Sequence, residues 1–200
     1  ILPLDEQEVK RMEKQISEKE ELIGRLFREV GDTAYIYQAL GWQYMQAGMY
    51  GMALQSFEKA LEIYPSMPMM LTLCGISTSY LAQYEPDETQ SASLAMKAKF
   101  YFEQSIFASP DNPQAFYGLA NLELFIFNSP ENAKKNLSTL LGLEPKNYNA
   151  WFLLANCEIR LENYDLALEA YDMIVKGSEN KQLAQRAKDN AETIRGKAYE

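Results

Sequence analysis

The stretch YQALGWQYMQAGMYGMALQSFEKALEIYP, residues 37–65, puts Gly41 in one aromatic-rich helical segment and Ala53 in the next. The same offsets return three times. Tyr37, Leu40, Gly41 and Tyr44 are followed by Ala53, Phe57, Ala60 and Pro65. Leu71 and Gly75 are followed by Ala98, Phe102 and Pro110, and Phe116, Leu119 and Ala120 by Ala133, Leu137 and Pro145. Trp151, Leu154 and Ala155 precede Ala167 and Tyr171. The leading anchors 37, 71, 116 and 151 are spaced by 34, 45 and 35 residues, and the alanines 53, 98, 133 and 167 by 45, 35 and 34. Self-similarity at such a period means an array, in which each unit buries its apolar face on its neighbours.

An 11-residue surplus falls between the two helical segments of the second unit, in or around YEPDETQSAS, 84–93. This polar segment reads as a surface insertion whose shortening leaves the fold intact, the alternative being that it extends both helices of the second unit and carries a contact of its own. Within each unit one small residue answers another: Gly41 and Ala53, Gly75 and Ala98, Ala120 and Ala133, Ala155 and Ala167. Small residues at a helix crossing let two antiparallel backbones approach while large apolar residues interdigitate around them. Gly48 suits a turn, and Pro65, Pro110 and Pro145 mark helix ends. Asn112 before Pro113 and Ser129 before Pro130 read as N-caps with proline at the first helical position. Helix pairs are predicted at 33–47 with 50–64, 67–83 with 91–108, 113–127 with 130–142, and 147–161 with 164–176. A last helix over 180–198 carries Leu183, Ala187, Ala191 and Ile194 on one face.

Tyr37, Leu40, Gly41, Tyr44, Ala53, Phe57 and Pro65 fit aromatic-x2-L-G-x2-Y…A-x3-F…P, with Tyr where Trp usually stands. The pattern resembles the tetratricopeptide repeat (TPR). That resemblance implies an all-α fold, a right-handed α-solenoid of antiparallel helix pairs. It divides the chain into an N-terminal amphipathic helix, 1–33, a repeat array, 34–179, and a C-terminal capping helix, 180–200. The repeats are 34–67, 68–112, 113–147 and 148–179.

In the family, first helices line a concave groove through repeat positions 2, 5, 9, 12 and 13. Carried over, these are Tyr35, Gln38, Trp42, Met45 and Gln46 in the first repeat and Met69, Thr72, Ile76, Ser79 and Tyr80 in the second. The third gives Gln114, Tyr117, Asn121, Leu124 and Phe125, and the fourth Asn149, Phe152, Asn156, Ile159 and Arg160. The candidate binding set is these residues less Gln46, Thr72, Ser79, Gln114, Asn149 and Ile159. It is aromatic and methionine-rich with hardly a charge, the composition of an adaptable binding surface. The amides of Asn121 and Asn156 can each pair with a ligand's backbone. Chaperone-binding TPR proteins hold a peptide carboxylate with Lys and Asn at positions 5 and 9. Gln38 and Trp42 stand there, which argues against such a clamp.

No catalytic constellation is visible. Histidine is absent, and no GxxxxGK[ST], GxGxxG or GxSxG occurs. Cys74 and Cys157 lie far apart without metal-ligand spacing, so neither a zinc site nor a cofactor is expected. At repeat positions 7 and 10 they are expected buried and reduced, which suits a cytoplasm and is compatible with a periplasm. Net charge is −9, and residues 31–180 hold eight basic against seventeen acidic groups. Such a body repels nucleic acid and anionic membranes. No apolar run reaches membrane-spanning length. The chain begins at Ile1, as it would if a leader or upstream region had been removed.

The leading expectation is a non-catalytic scaffold or adaptor that takes an apolar or amphipathic peptide or helix into its groove. The alternative is a carrier for a small hydrophobic ligand, serving transport, in the same groove. Before the array, Val9, Met12, Ile16, Ile23, Leu26 and Val30 follow 3-4 spacing, interrupted by Lys19. One long helix is expected there. Residues 20–30 would stack on the first repeat, while 5–18 would project to meet a partner or a second copy.

Overall fold

The computed structural model describes residues 6–197. Among them the elements are α1 (Glu6–Gln46), α2 (Tyr50–Ile63), α3 (Pro68–Tyr84), α4 (Glu88–Ala108), α5 (Pro113–Phe125), α6 (Pro130–Leu143), α7 (Tyr148–Arg160), α8 (Tyr164–Gly177) and α9 (Lys181–Lys197), with no strand among the described residues. Consecutive helices pack antiparallel in pairs, α1 with α2 through α7 with α8, and each pair rests on the next. The first helices α3, α5 and α7 also touch in turn, so they form a row on one side of the stack. This is an α-solenoid.

The chemistry of the ends is the predicted one, with one exception. Gly48 turns the chain between α1 and α2 at φ +73°, where a side chain would be strained. Asn112 accepts from the backbone of Gln114 and Ala115 and caps α5, with Pro113 in the first turn. Ser129 stands at the N-cap of α6 without capping it. Its hydroxyl donates instead to Phe127 O at 3.4 Å.

The small residues are at the crossings, where two of the glycines lie against aromatic rings. The atoms nearest a Cβ built on Gly41 all belong to the ring of Phe57, with Cδ1 at 2.6 Å; on Gly75 they belong to Phe102, with Cε1 at 2.7 Å. The glycines thus seat a ring from the second helix, one turn beyond the repeat alanine. Ala53 and Ala98 are fully buried in their own right. Gly118, which the repeat pattern did not single out, lies against the same Phe102. One ring therefore fastens α3, α4 and α5.

The surplus of the second repeat is an extension of both its helices, the alternative to a surface insertion. α3 and α4 run to 17 and 21 residues, against 13 and 14 in α5 and α6. The four and seven extra residues account for the whole surplus. Asp87 caps α4 by accepting from Gln90 N at 2.8 Å, Ser91 Oγ donates to Ala82 O at 2.8 Å, and Ala82 and Ala95 are buried in the added contact.

The start of the chain also departs from expectation. α1 is a single helix of 41 residues, about 60 Å long. No residue from 7 to 30 is buried. Ile16, Ile23, Leu26 and Phe27 are at least half exposed, so residues 20–30 do not fold back onto the first repeat. A helix continuous with the first repeat's own helix has no turn that would let it do so. The other end is closed as expected. Ala187, Ala191 and Ile194 of α9 bury against Ala155, Ala167, Tyr171 and Ile174, and Asn190 Nδ2 donates to the Tyr171 hydroxyl.

Candidate functional site

The fourteen candidate groove residues lie on α1, α3, α5 and α7, the first helices of their repeats. Tyr35, Trp42, Met69, Tyr80, Phe125 and Arg160 are exposed. Gln38, Met45, Ile76, Tyr117, Asn121, Phe152 and Asn156 are half-buried. Leu124 is fully buried in the core with Phe116, Leu137 and Leu153. It is therefore a packing residue, and its assignment to the groove is corrected. Thr72, at position 5 of the second repeat, is buried too, where its hydroxyl, Ser105 Oγ and the Asn112 amide form one network. Position 5 there faces the next repeat's cap because Asn112 reaches back across the junction.

Several of these side chains are already engaged. Arg160 Nη1 donates to Leu124 O at 2.7 Å and Asn128 Oδ1 at 2.8 Å, and its guanidinium lies 5.3 Å from the Phe125 ring centre. Asn128, in the turn after α5, holds φ +49°. The Arg160 charge thus fastens α7 to the end of α5. Phe152 meets Tyr171 edge-on at 5.3 Å and lies beneath Arg186 of the capping helix. Asn121 donates within its own helix to Tyr117 O, leaving its carbonyl oxygen as the acceptor it can offer a ligand. Tyr80 stacks on Tyr50 with ring centres 4.2 Å apart and the rings nearly parallel. With Met49, Met52, Leu81 and Tyr84 the pair lines a hollow of about 730 Å³ that opens broadly to solvent at the α1–α2 turn.

The junctions carry charge pairs that the sequence reading missed. Lys99 of α4 reaches Glu123 of α5 at 2.7 Å, and Lys134 of α6 reaches Glu158 of α7 at 2.6 Å, with both carboxylates buried. Each lysine directly follows the repeat alanine, Ala98 or Ala133, and each glutamate lies three residues after Ala120 or Ala155. That shared register was legible in the sequence. Both cysteines are buried and free. Burial pushes each thiol up to about 12, which keeps them protonated and poor nucleophiles at neutral pH. Among the described residues no group of His, Cys, Asp and Glu could hold a metal, and no helix is long and apolar enough to cross a membrane.

Two family models described as Tetratricopeptide repeat match the chain, over residues 34–67 and 127–181. The chain is a tetratricopeptide-repeat protein. Solved structures agree on the fold. A thermophilic TPR protein of Thermus thermophilus superposes with TM-score 0.71 at 14% identity, over 90% of this chain and 95% of that one. MamA 41-end from Desulfovibrio magneticus RS-1 gives 0.62 at 18%, over 84% and 92%. The first TPR of Spaghetti (RPAP3), bound to the HSP90 peptide SRMEEVD, gives 0.57 at 20%, over 66% and 94%. No match was found among curated proteins.

Proposed function

We propose that this chain is a non-catalytic scaffold that holds an apolar or amphipathic peptide or helix against its row of first helices. The fold suggests protein–protein interaction, and a peptide-bound TPR domain stands among its structural neighbours. One observation carries the finer reading: Tyr35, Trp42, Met69, Tyr80 and Phe125, all uncharged, stand 38–61% exposed on the first helices of three successive repeats. Large aromatic and methionine side chains left open on a folded surface are the usual anchors of a protein interface. An acidic peptide like the one in the Spaghetti complex suits this surface poorly, because Arg160 is already spent on Leu124 O and Asn128. The hydrophobic-carrier reading is less well supported, since the hollow of about 730 Å³ is open and lies at a helix turn.

Selection from a displayed library of random peptides tests the proposal. Bound peptides should be apolar or amphipathic, and Trp42→Ala with Phe125→Ala should weaken them at least about tenfold, the loss of roughly 1.4 kcal/mol or more. The variant should unfold at the wild-type temperature. Selection of peptides ending in acidic residues, or indifference to the double substitution, would contradict it.

A further inference from the structure

The first 25 described residues of α1, 6–30, run about 37 Å beyond the array, and none from 7 to 30 is buried. Their apolar residues keep a strict seven-residue register. With heptad positions lettered a to g, Val9, Ile16, Ile23 and Val30 occupy a, and Met12, Lys19 and Leu26 occupy d. Just over three heptads are present, enough to define a coiled-coil seam. The seam ends where the array begins: Gly31, the next residue, is buried, and a Cβ on it would lie 2.9 Å from the Tyr64 hydroxyl.

We propose that this segment is a dimerisation helix that pairs with a second copy of the chain, parallel and in register. Three features select that occupant. Every a position is β-branched while Leu26 and Met12 stand at d, the arrangement that favours two parallel strands. Leu22 at g and Phe27 at e are five residues apart, and in a parallel pair g of one helix meets e of the other five residues on. The two apolar side chains, 48% and 72% exposed, would then cover each other twice, once on each flank. The break in the seam fits as well: Lys19 at d emerges beside Glu20 at e of the opposite helix, so each lysine gains a carboxylate. An antiparallel pair would set g against g and e against e, and would lose both matches.

Charge permits the pairing. Residues 6–30 hold seven acidic and six basic side chains, so the seam is almost neutral within a chain of net charge −9. Glu8 at g would meet Glu13 at e, but Arg11 already holds Glu8 at 3.1 Å. Gly24, with nothing within 4 Å of its missing side chain, weakens the helix alone. Pairing supplies the packing that a lone exposed helix lacks.

The 200-residue chain should sediment at twice its 22.9 kDa mass. Ile16→Glu with Ile23→Glu should return it to one mass with unchanged thermal unfolding of the array, because both positions are at least half exposed. Register is read with Ile16→Cys: oxidation by diamide should link two chains through position 16, while the buried Cys74 and Cys157 stay silent. A wild-type chain that is monomeric at sub-millimolar concentration overturns the proposal, and so would a dimer that survives the double glutamate change. A dimer without the position-16 link overturns its parallel register.

Discussion

The first two repeats and the last two close the same helix crossing with different side chains. In the first two, Gly41 and Gly75 each admit a phenyl ring from the second helix, Phe57 and Phe102. In the last two, Ala120 shares a core with Leu137, and Ala155 with Tyr171. The junctions divide in the same way. Lys99–Glu123 and Lys134–Glu158 join the second repeat to the third and the third to the fourth. At the first junction the same two positions hold Leu54 and Thr78, both buried, and Thr78 donates to its own helix at Cys74 O. The repeat thus specifies a spacing between backbones, while the residues that fill it are chosen as pairs. Changing one member without the other is the way to expose this.

The largest effect should come from the glycine–ring crossings. Gly75→Leu drives a side chain into Phe102, which is fully buried and already held from the other side by Gly118. Overpacking at a site that cannot relax costs about 3 kcal/mol, and urea unfolding should show the stability falling by that amount. Gly118→Ala should show a smaller fall in the same assay. Pairing Gly75→Leu with Phe102→Ala should recover part of the loss, whereas additive losses would mean that ring and glycine are not a pair.

The sequence made this architecture legible because spacing survives substitution. Tyr37, Gly41 and Ala53 and their counterparts announce the helix pairs even as identities drift, and the glycines and prolines near the turns bracket the ends. What it concealed depends on the third dimension. Gly41 and Ala53 look like partners in a string, but the ring nearest the glycine belongs to Phe57, a helical turn beyond Ala53. Leu124 and Phe125 are adjacent in sequence and both fall in the groove pattern, yet one faces the core and the other solvent. The fate of 20–30 was hidden because a stripe of apolar residues says only that something covers it. The surplus of the second repeat left two readings open because Glu85, Asp87 and Glu88 suit a loop as well as a tight turn, and the Asp87 cap on α4 is what marks the turn.

That extension distinguishes the second repeat from its regular neighbours, and removing it sharpens the contrast. Replacing residues 81–94 by a three-residue turn would give α3 and α4 the lengths of α5 and α6. It would discard buried Ala82, the Ser91–Ala82 hydrogen bond and the Leu81 and Tyr84 walls of the hollow. The expected loss is about 2 kcal/mol, from the lost apolar burial and hydrogen bond together, read by thermal unfolding. Unchanged stability would show that the extra turns serve a contact outside the chain.

The charged junctions should matter less. Glu123→Gln leaves Lys99, about a third exposed, free to turn toward water, so the cost should stay near ~1 kcal/mol despite the buried carboxylate. Exchanging both residues for the Leu and Thr of the first junction should restore stability, if the positions are interchangeable pairs. A double variant less stable than the single one would count against that equivalence.

The smallest effect is a pH dependence at the first junction. Glu58 of α2 faces α4, where Lys97 lies at 2.8 Å and the Tyr101 hydroxyl donates to it at 2.6 Å. Burial raises the carboxyl's pKa, but the hydrogen bonds from Lys97 and Tyr101, with the lysine's charge, outweigh it and set the group below its ordinary 4.5. A carboxyl more acidic in the folded than in the unfolded chain contributes stability that is fully present above the unfolded value. That contribution is lost as pH falls through the folded one. Glu58→Gln should therefore be less stable than wild type by a constant margin at about pH 6 to 8, with the two curves converging below about pH 4.5. Lys97→Met should shrink the same margin by removing the cation that depresses the group. Parallel curves down to acid unfolding would show that Glu58 titrates as an ordinary surface glutamate, leaving the α2–α4 contact to apolar packing alone.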